Sequence, residues 1–109
     1  MSQFTEERRI ATRYPLVLVA SVLELPRGVN LTGRTSDISR TGCYIDTLNP
    51  SPVRTSLRLR LTHHNEILEV VGTVVYSSRS LGMGIYFTEI APGELPKLDR
   101  WLANSEEAY

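Results

Sequence analysis

Two short stretches of the sequence carry side chains able to grip a ligand. The first, Glu7-Arg8-Arg9-Ile10-Ala11-Thr12-Arg13, places three arginines within six positions. Each guanidinium is a planar fork of donors, so the R-x-x-x-R spacing of Arg9 and Arg13 lets two forks converge on one ligand. A helix would put them on one face at i and i+4, whereas an irregular segment would make them a clamp. Pro15 disfavours helix at Tyr14, which favours an irregular arm leading into the fold. The second stretch, Ser36-Asp37-Ile38-Ser39-Arg40-Thr41-Gly42, combines a carboxylate, a hydroxyl and a glycine in a turn. Such a turn satisfies itself, because Asp37 and Ser39 can bond nearby amides and Gly42 is expected to take a positive φ. A loop organised in this way is also a better binder.

The elements that must position these residues are short β-rich runs separated by turn chemistry, the pattern of a small antiparallel barrel or sandwich. Strands are expected over Leu16 to Leu23, Leu31 to Ile38, Cys43 to Leu48, Leu57 to Thr62, Ile67 to Tyr76 and Leu81 to Thr88. The run Leu57-Arg58-Leu59-Arg60-Leu61-Thr62 alternates strictly, so its leucines face a core while Arg58 and Arg60 face solvent. Six strands with no intervening helix exclude a parallel βαβ sheet. Only the tail changes period: Leu95, Leu98, Trp101 and Leu102 recur at helical spacing, with Pro96 tolerable in a first turn. Trp101 is expected to anchor this helix over one opening or face of the sheet.

Composition narrows the function. The chain has 109 residues, enough for one compact domain. Twelve Lys plus Arg balance 12 Asp plus Glu, which argues against a global polyanion binder. The single cysteine, Cys43, cannot form an intramolecular disulfide and reads as a small buried hydrophobe in a chain suited to the cytoplasm. His63 and His64, adjacent in sequence, are expected to point to opposite faces as exposed turn residues, which argues against a shared metal ion. No nucleophile stands beside a base, so an enzyme is not expected. The N-terminus carries charge where a signal peptide needs an apolar core, and Leu16 to Val22 is too short to cross a bilayer. Tyr44, Tyr76, Tyr86 and Phe87 are scattered through hydrophobic strands without the basic frame of a nucleic-acid-binding sheet.

The co-occurrence of R-x-x-x-R at Arg9 to Arg13 with D-x-S-x-x-G at Asp37 to Gly42 resembles the PilZ domain, a bacterial module that binds cyclic di-GMP. Gly72 to Ser78 followed by Leu81 to Phe87 is similar to the family's late hairpin, and the tail at Trp101-Leu102 to its closing helix. The resemblance implies a six-stranded antiparallel β-barrel with a short C-terminal α-helix, divided into a ligand-binding arm (1–14), the barrel with its helix (15–104) and a tail (105–109). It implies cyclic di-GMP as ligand, held by Arg8, Arg9, Arg13, Asp37, Ser39 and Gly42, with no cofactor or metal. Two ligand molecules per chain are implied by the basic Arg8 ahead of the arginine pair. The chemistry fits: arginine forks onto phosphate oxygens or guanine O6 and N7, and a carboxylate accepts from guanine N1–H and its amine. Output is expected through an effector protein, with no nucleic acid or membrane as partner. A PilZ-like interaction scaffold that binds no nucleotide is the alternative.

Overall fold

In the computed structural model, which describes residues 11–105, six antiparallel strands close into a barrel capped by one helix. The strands are β1 (Val19–Glu24), β2 (Val29–Ile38), β3 (Gly42–Asp46), β4 (Ser56–His63), β5 (Glu66–Ser78) and β6 (Gly82–Ile90). Their order around the barrel is β1-β2-β3-β6-β5-β4, and β4 pairs back onto β1, with Val22 opposite Leu59. A 3₁₀ turn (Pro92–Glu94) leads into helix α1 (Leu95–Ala103).

Alternation decides which side chains fill the barrel. Leu57, Leu59 and Leu61 are fully buried, as the strict pattern of β4 requires, while Arg58 and Arg60 are exposed. Ala20 and Val22 of β1, Ile45 of β3, Leu68, Val70 and Val74 of β5 and Met83 and Ile85 of β6 complete the interior. Helix α1 buries Leu98, Trp101 and Leu102 against it, confirming Trp101 as a packing anchor. The Trp101 indole N–H donates to Glu66 Oε1 at 2.8 Å, Arg100 pairs with the same carboxylate, and Lys97 Nζ donates to the Ile67 carbonyl at 2.6 Å. The helix is thereby fixed to the β4–β5 end of the barrel.

Three departures from the sequence reading have local causes. Strand β1 begins at Val19 rather than Leu16, because the buried Thr35 side chain takes the place of a ladder partner. Its hydroxyl donates to the Leu16 carbonyl at 2.7 Å and accepts from the Leu18 amide at 2.8 Å. Strand β3 stops at Asp46, and Leu48 is 73% exposed in a loop rather than in the sheet. His63 and His64 do not point to opposite faces: their rings lie 4.3 Å apart. His64 takes φ 56° in the hairpin, which breaks the alternation, and His63 packs edge-on against Trp101 at 5.3 Å, half-buried rather than free in solvent.

Candidate functional site

The D-x-S-x-x-G stretch is divided between a strand and a turn. Asp37 belongs to β2, where Ser36 forms a bulge, and it stands opposite Tyr44 of β3. Ser39 begins the turn and is buried. Its amide donates to the Gly42 carbonyl at 2.8 Å, and its Oγ accepts from the Thr41 amide at 3.1 Å and lies 3.2 Å from the Thr41 hydroxyl. The turn therefore satisfies itself, and Ser39 sits inside it as a positioning group. Gly42 does not have the positive φ expected of it; among the described residues Gly28 is the glycine that does. The physical reason for glycine here is close approach, since a Cβ on Gly42 would lie 2.2 Å from the Ile85 carbonyl oxygen across the β3–β6 pair.

The arm meets this loop through the backbone. Tyr14 forms an isolated antiparallel bridge with Ile38: the Tyr14 amide donates to the Ile38 carbonyl at 2.8 Å and the Ile38 amide to the Tyr14 carbonyl at 2.9 Å. That bridge delivers Arg13, the neighbour of Tyr14, to Asp37, the neighbour of Ile38. Arg13 Nη2 donates to Asp37 Oδ2 at 2.8 Å, with the guanidinium 55% and the carboxylate 15% exposed. A largely covered carboxylate so engaged through Oδ2 keeps Oδ1 for a second donor. Arg8 and Arg9 lie outside the described residues.

A further feature completes the site. The registers align Asp37 opposite Tyr44, Tyr44 opposite Gly84, and Gly84 opposite Tyr76, making one row across β2, β3, β6 and β5. Gly84 leaves the middle of that row without a side chain. The result is a groove of about 360 Å³ lined by Arg13, Asp37, Tyr44, Tyr76 and Gly84, with the two tyrosine rings 6.4 Å apart. A Cβ on Gly84 would meet Tyr76 Cβ at 3.5 Å and Tyr44 at 3.9 Å, both ordinary contacts, so packing of the barrel does not demand glycine there. Burial, with smaller contributions from Tyr76, Asp46 and Asp37, raises the Tyr44 phenol above its ordinary value and keeps it a neutral ring. Burial likewise pushes up the Cys43 thiol, an inert hydrophobe beneath the groove.

The tyrosines correct the sequence reading, which scattered them without a basic frame; Tyr44 and Tyr76 share a face with Arg13. The signal missed is a bulge at Val75, which places Val74 opposite Ile85 and Tyr76 opposite Gly84. Strict alternation from the buried Val74 would turn Tyr76 inward, yet it is 55% exposed. A larger cleft, about 690 Å³, lies by His63, His64, Glu66, Arg100 and Trp101. There both carboxylate oxygens of Glu66 are taken, by the Trp101 indole and by Arg100, whereas Arg13 and Asp37 share one bond that leaves Asp37 Oδ1 over, so the smaller groove is the better candidate. No group of three or more His, Cys, Asp or Glu among the described residues could hold a metal ion, and no described helix is long and apolar enough to cross a membrane.

The closed six-stranded barrel, its C-terminal helix and the arm joined to the β2–β3 turn define a class, and comparison with known families names it. The PilZ domain model matches residues 6–104, and the chain belongs to the PilZ family. Solved structures agree on the fold. The PilZ domain of CeSA from a cellulose-synthesizing bacterium superposes with a TM-score of 0.68 at 20% identity, covering 84% of this chain and 98% of that one. The PilZ domain of Escherichia coli YcgR with c-di-GMP gives 0.73 at 13% identity, covering 91% and 92%. Bacillus subtilis MotI/DgrA, an inhibitor of motility, gives 0.67 at 20% identity, covering 89% of this chain and 53% of that one. A search of curated proteins found no match.

Proposed function

We propose that the chain is a cyclic di-GMP receptor, not an enzyme, which works in the cytoplasm and passes its signal to a partner protein. The observation that carries this reading is the single row of Arg13, Asp37, Tyr44, Gly84 and Tyr76, built on the backbone bridge between arm and loop. Guanine is a flat base with an acceptor edge at O6 and N7 and donors at N1 and N2. Asp37 Oδ1 accepts from the donor edge, an arginine fork serves O6 and N7, and the face of a tyrosine stacks on the ring. Gly84 leaves room for the base to lie close to the sheet. Family membership supports the ligand, since the YcgR PilZ domain is described with c-di-GMP.

The groove is at the small end of ligand pockets, roughly 300 to 1,000 Å³. It suits one base, and Arg8 and Arg9 on the preceding arm (1–14) supply forks for the phosphates and the second guanine. Residues 15–104 form the barrel that carries the groove, with 105–109 as a tail. Ser39 and Gly42 act by holding the turn in which Asp37 is presented. Ligand binding orders the arm over the groove, and the reshaped surface alters engagement of the partner. Arg8 gives spare donor capacity for a second, stacked ligand molecule.

Calorimetric titration with cyclic di-GMP, against cyclic di-AMP and GTP, tests the reading. Binding of cyclic di-GMP with strong rejection of the adenine analogue is expected, because adenine offers an amine where guanine offers O6. Equal binding of both dinucleotides, or heat with neither, overturns it. Saturation at two molecules per chain, falling toward one in Arg8→Leu, is expected for the second site; saturation at one in both proteins assigns Arg8 to solvent or to Glu7.

A further inference from the structure

The helix covers only one end of the barrel. Strands β1, β3 and β5 run to the other end, where the β1–β2 hairpin, the loop 47–55 and the β5–β6 hairpin meet. Leu48 is 73%, Leu81 65%, Val53 50% and Leu25 39% exposed there. Leu48 and Leu81 are neighbours, since the Ser80 amide donates to the Leu48 carbonyl and the Thr47 amide to the Leu81 carbonyl, both at 3.2 Å. Between the loop and the hairpin lies a groove of about 420 Å³, walled by Leu48, Pro50 and Pro52 on one side and by Ser77 and Arg79 on the other.

This loop is not loose. Ser51 is buried and its hydroxyl donates to the buried Glu24 carboxylate at 2.5 Å, while Arg27 Nη2 donates to the same carboxylate at 2.6 Å. The Ser51 amide donates to Met83 Sδ at 3.4 Å and the Arg54 amide to the Val74 carbonyl at 2.7 Å. A loop pinned at its base with leucine and valine held outward is a preorganised surface, and ordering it on binding costs little.

Charge identifies the occupant. Arg54 and Arg79 are exposed and make no ion pair among the described residues. The acidic groups at this end are Glu24, buried under Arg27 and Ser51, and the exposed Asp46, which stands across the ladder from Arg34; against them stand Arg27, Arg34, Arg54 and Arg79. The end is therefore apolar with a positive rim. A second copy of the chain is a poorer match than an acidic segment, because a two-fold contact would bring two positive rims together, with Arg54 and Arg79 of each copy against one exposed carboxylate, Asp46, on each side. A membrane does not fit: residues 24–29, 46–56 and 77–82 contain no aromatic residue and no lysine, and two free arginines fall short of the basic clusters that hold proteins on anionic lipid.

We propose that this open end, centred on the groove between loop 47–55 and the β5–β6 hairpin, docks a partner-protein segment that carries an apolar side chain beside a carboxylate. The apolar residue enters the groove against Leu48 and Leu81, and the carboxylate pairs with Arg79. From the receptor reading the inference takes only that output runs through another protein. The two grooves share strand β5, where Tyr76 lines the nucleotide groove and the next residue, Ser77, lines this one.

The test is selection of a random twelve-residue peptide library on the wild-type protein, with counter-selection on the variant Leu48→Ser, Leu81→Ser, Arg79→Glu. The expected consensus holds an aliphatic or aromatic residue within two positions of Asp or Glu. A synthetic consensus peptide is expected to lose at least tenfold affinity for Arg79→Glu, to regain it when its acidic residue is changed to lysine, and to shift amide resonances of residues 48–54 and 77–81. A consensus without an acid, resonance shifts elsewhere, no enrichment over the counter-selection, self-association abolished by Leu48→Ser, or binding to phosphatidylserine vesicles overturns the proposal. Cyclic di-GMP titration of Arg79→Glu is expected to match wild type. Failed peptide selection with intact nucleotide binding thus counts against the docking end alone, and absent nucleotide binding in the wild type counts against the receptor reading alone.

Discussion

The two clefts on the flanks of this barrel differ in what their polar groups are doing. In the larger one, beside α1, Glu66 accepts from both the Trp101 indole and Arg100, and Lys97 reaches the Ile67 carbonyl and Glu94. The donors and acceptors there close the helix onto the barrel. In the smaller one a single ion pair, Arg13 with Asp37, faces two tyrosine rings across a glycine that packing does not require. Unengaged donor capacity beside a flat apolar wall marks a binding site; volume does not. The comparison predicts that the two clefts separate under mutation, one controlling stability and the other controlling affinity.

The largest effect is expected at the helix. Trp101 is 3% exposed, and its replacement by alanine removes a large packed ring together with the bond to Glu66. A loss of roughly 3–5 kcal/mol is expected by urea unfolding. If the comparison holds, nucleotide affinity measured well below the lowered unfolding midpoint stays near the wild-type value. Loss of affinity in the folded variant would couple the two clefts and break the distinction.

Next come the arm and loop. Arg9→Ala and Arg13→Ala are each expected to remove roughly 1.5–3 kcal/mol of ligand binding, the scale of a hydrogen bond to a charged group. The ligand-free melting temperature should hardly move for Arg13, whose guanidinium is 55% exposed. Asp37→Ala should weaken binding similarly and cost no more stability than Arg13→Ala, since the ion pair they share is the bond that each variant loses. Unfolding of an arm variant would make the arm structural and overturn the assignment.

A smaller effect sharpens the role of the row. Gly84→Val places side chain where the base is expected to lie, and a strand position accepts valine well. About a tenfold loss of affinity, near 1.4 kcal/mol, is expected by calorimetry with stability nearly unchanged. Gly42→Ala is the contrasting case, since its Cβ would fall 2.2 Å from the Ile85 carbonyl oxygen and the barrel must shift. Equal destabilisation by both would mean that Gly84 is a packing glycine like Gly42.

How much of this was legible in the sequence varies with how local the cause is. The alternation of Leu57 to Leu61 and the helical spacing of Leu98, Trp101 and Leu102 each depend on their own segment, and both elements fold as read. The end of β3 was less legible, because Leu48 looks like a strand residue and only the surroundings leave it exposed. Arg13 and Asp37 were named by type and spacing, but their contact depends on the Tyr14–Ile38 bridge, a pairing of distant residues. Tyr44 and Tyr76 were hidden because two bulges, at Ser36 and Val75, set the row on which they meet Asp37 and Gly84. A bulge shifts register by one residue and reverses which side faces solvent, and nothing in these valine-rich runs marks where it falls.

The smallest expected effect is a pH dependence in which the helix cleft takes part through His63 and Glu66. The His63 imidazole lies half-buried against Trp101, and burial, aided by the neighbouring His64 and opposed by Glu66, lowers its pKa below the ordinary 6.5. The unfolded chain therefore binds a proton more readily than the folded one as pH falls through 6.5. His63 leaves stability intact above that value and subtracts from it between 6.5 and the lowered folded-state pKa. Glu66 acts in a second window, which it shares with Glu24, lowered by its bonds from Ser51 and Arg27, and Asp99, lowered by its bond from Arg40. The Trp101 indole first, then Arg100, lower the Glu66 pKa below 4.5, so its contribution is present above 4.5 and disappears as pH falls through the lowered value. Unfolding midpoints in urea, measured between pH 8 and pH 3, should show a shallow decline beginning near 6.5 and a steeper one below 4.5. His63→Gln should flatten the first decline and leave the second. Glu66→Gln should reduce the second, while cyclic di-GMP affinity between pH 8 and 6 stays level in both variants, because neither side chain lines the Arg13–Asp37 groove. An affinity that tracked the His63 titration would place the helix cleft in the binding event after all.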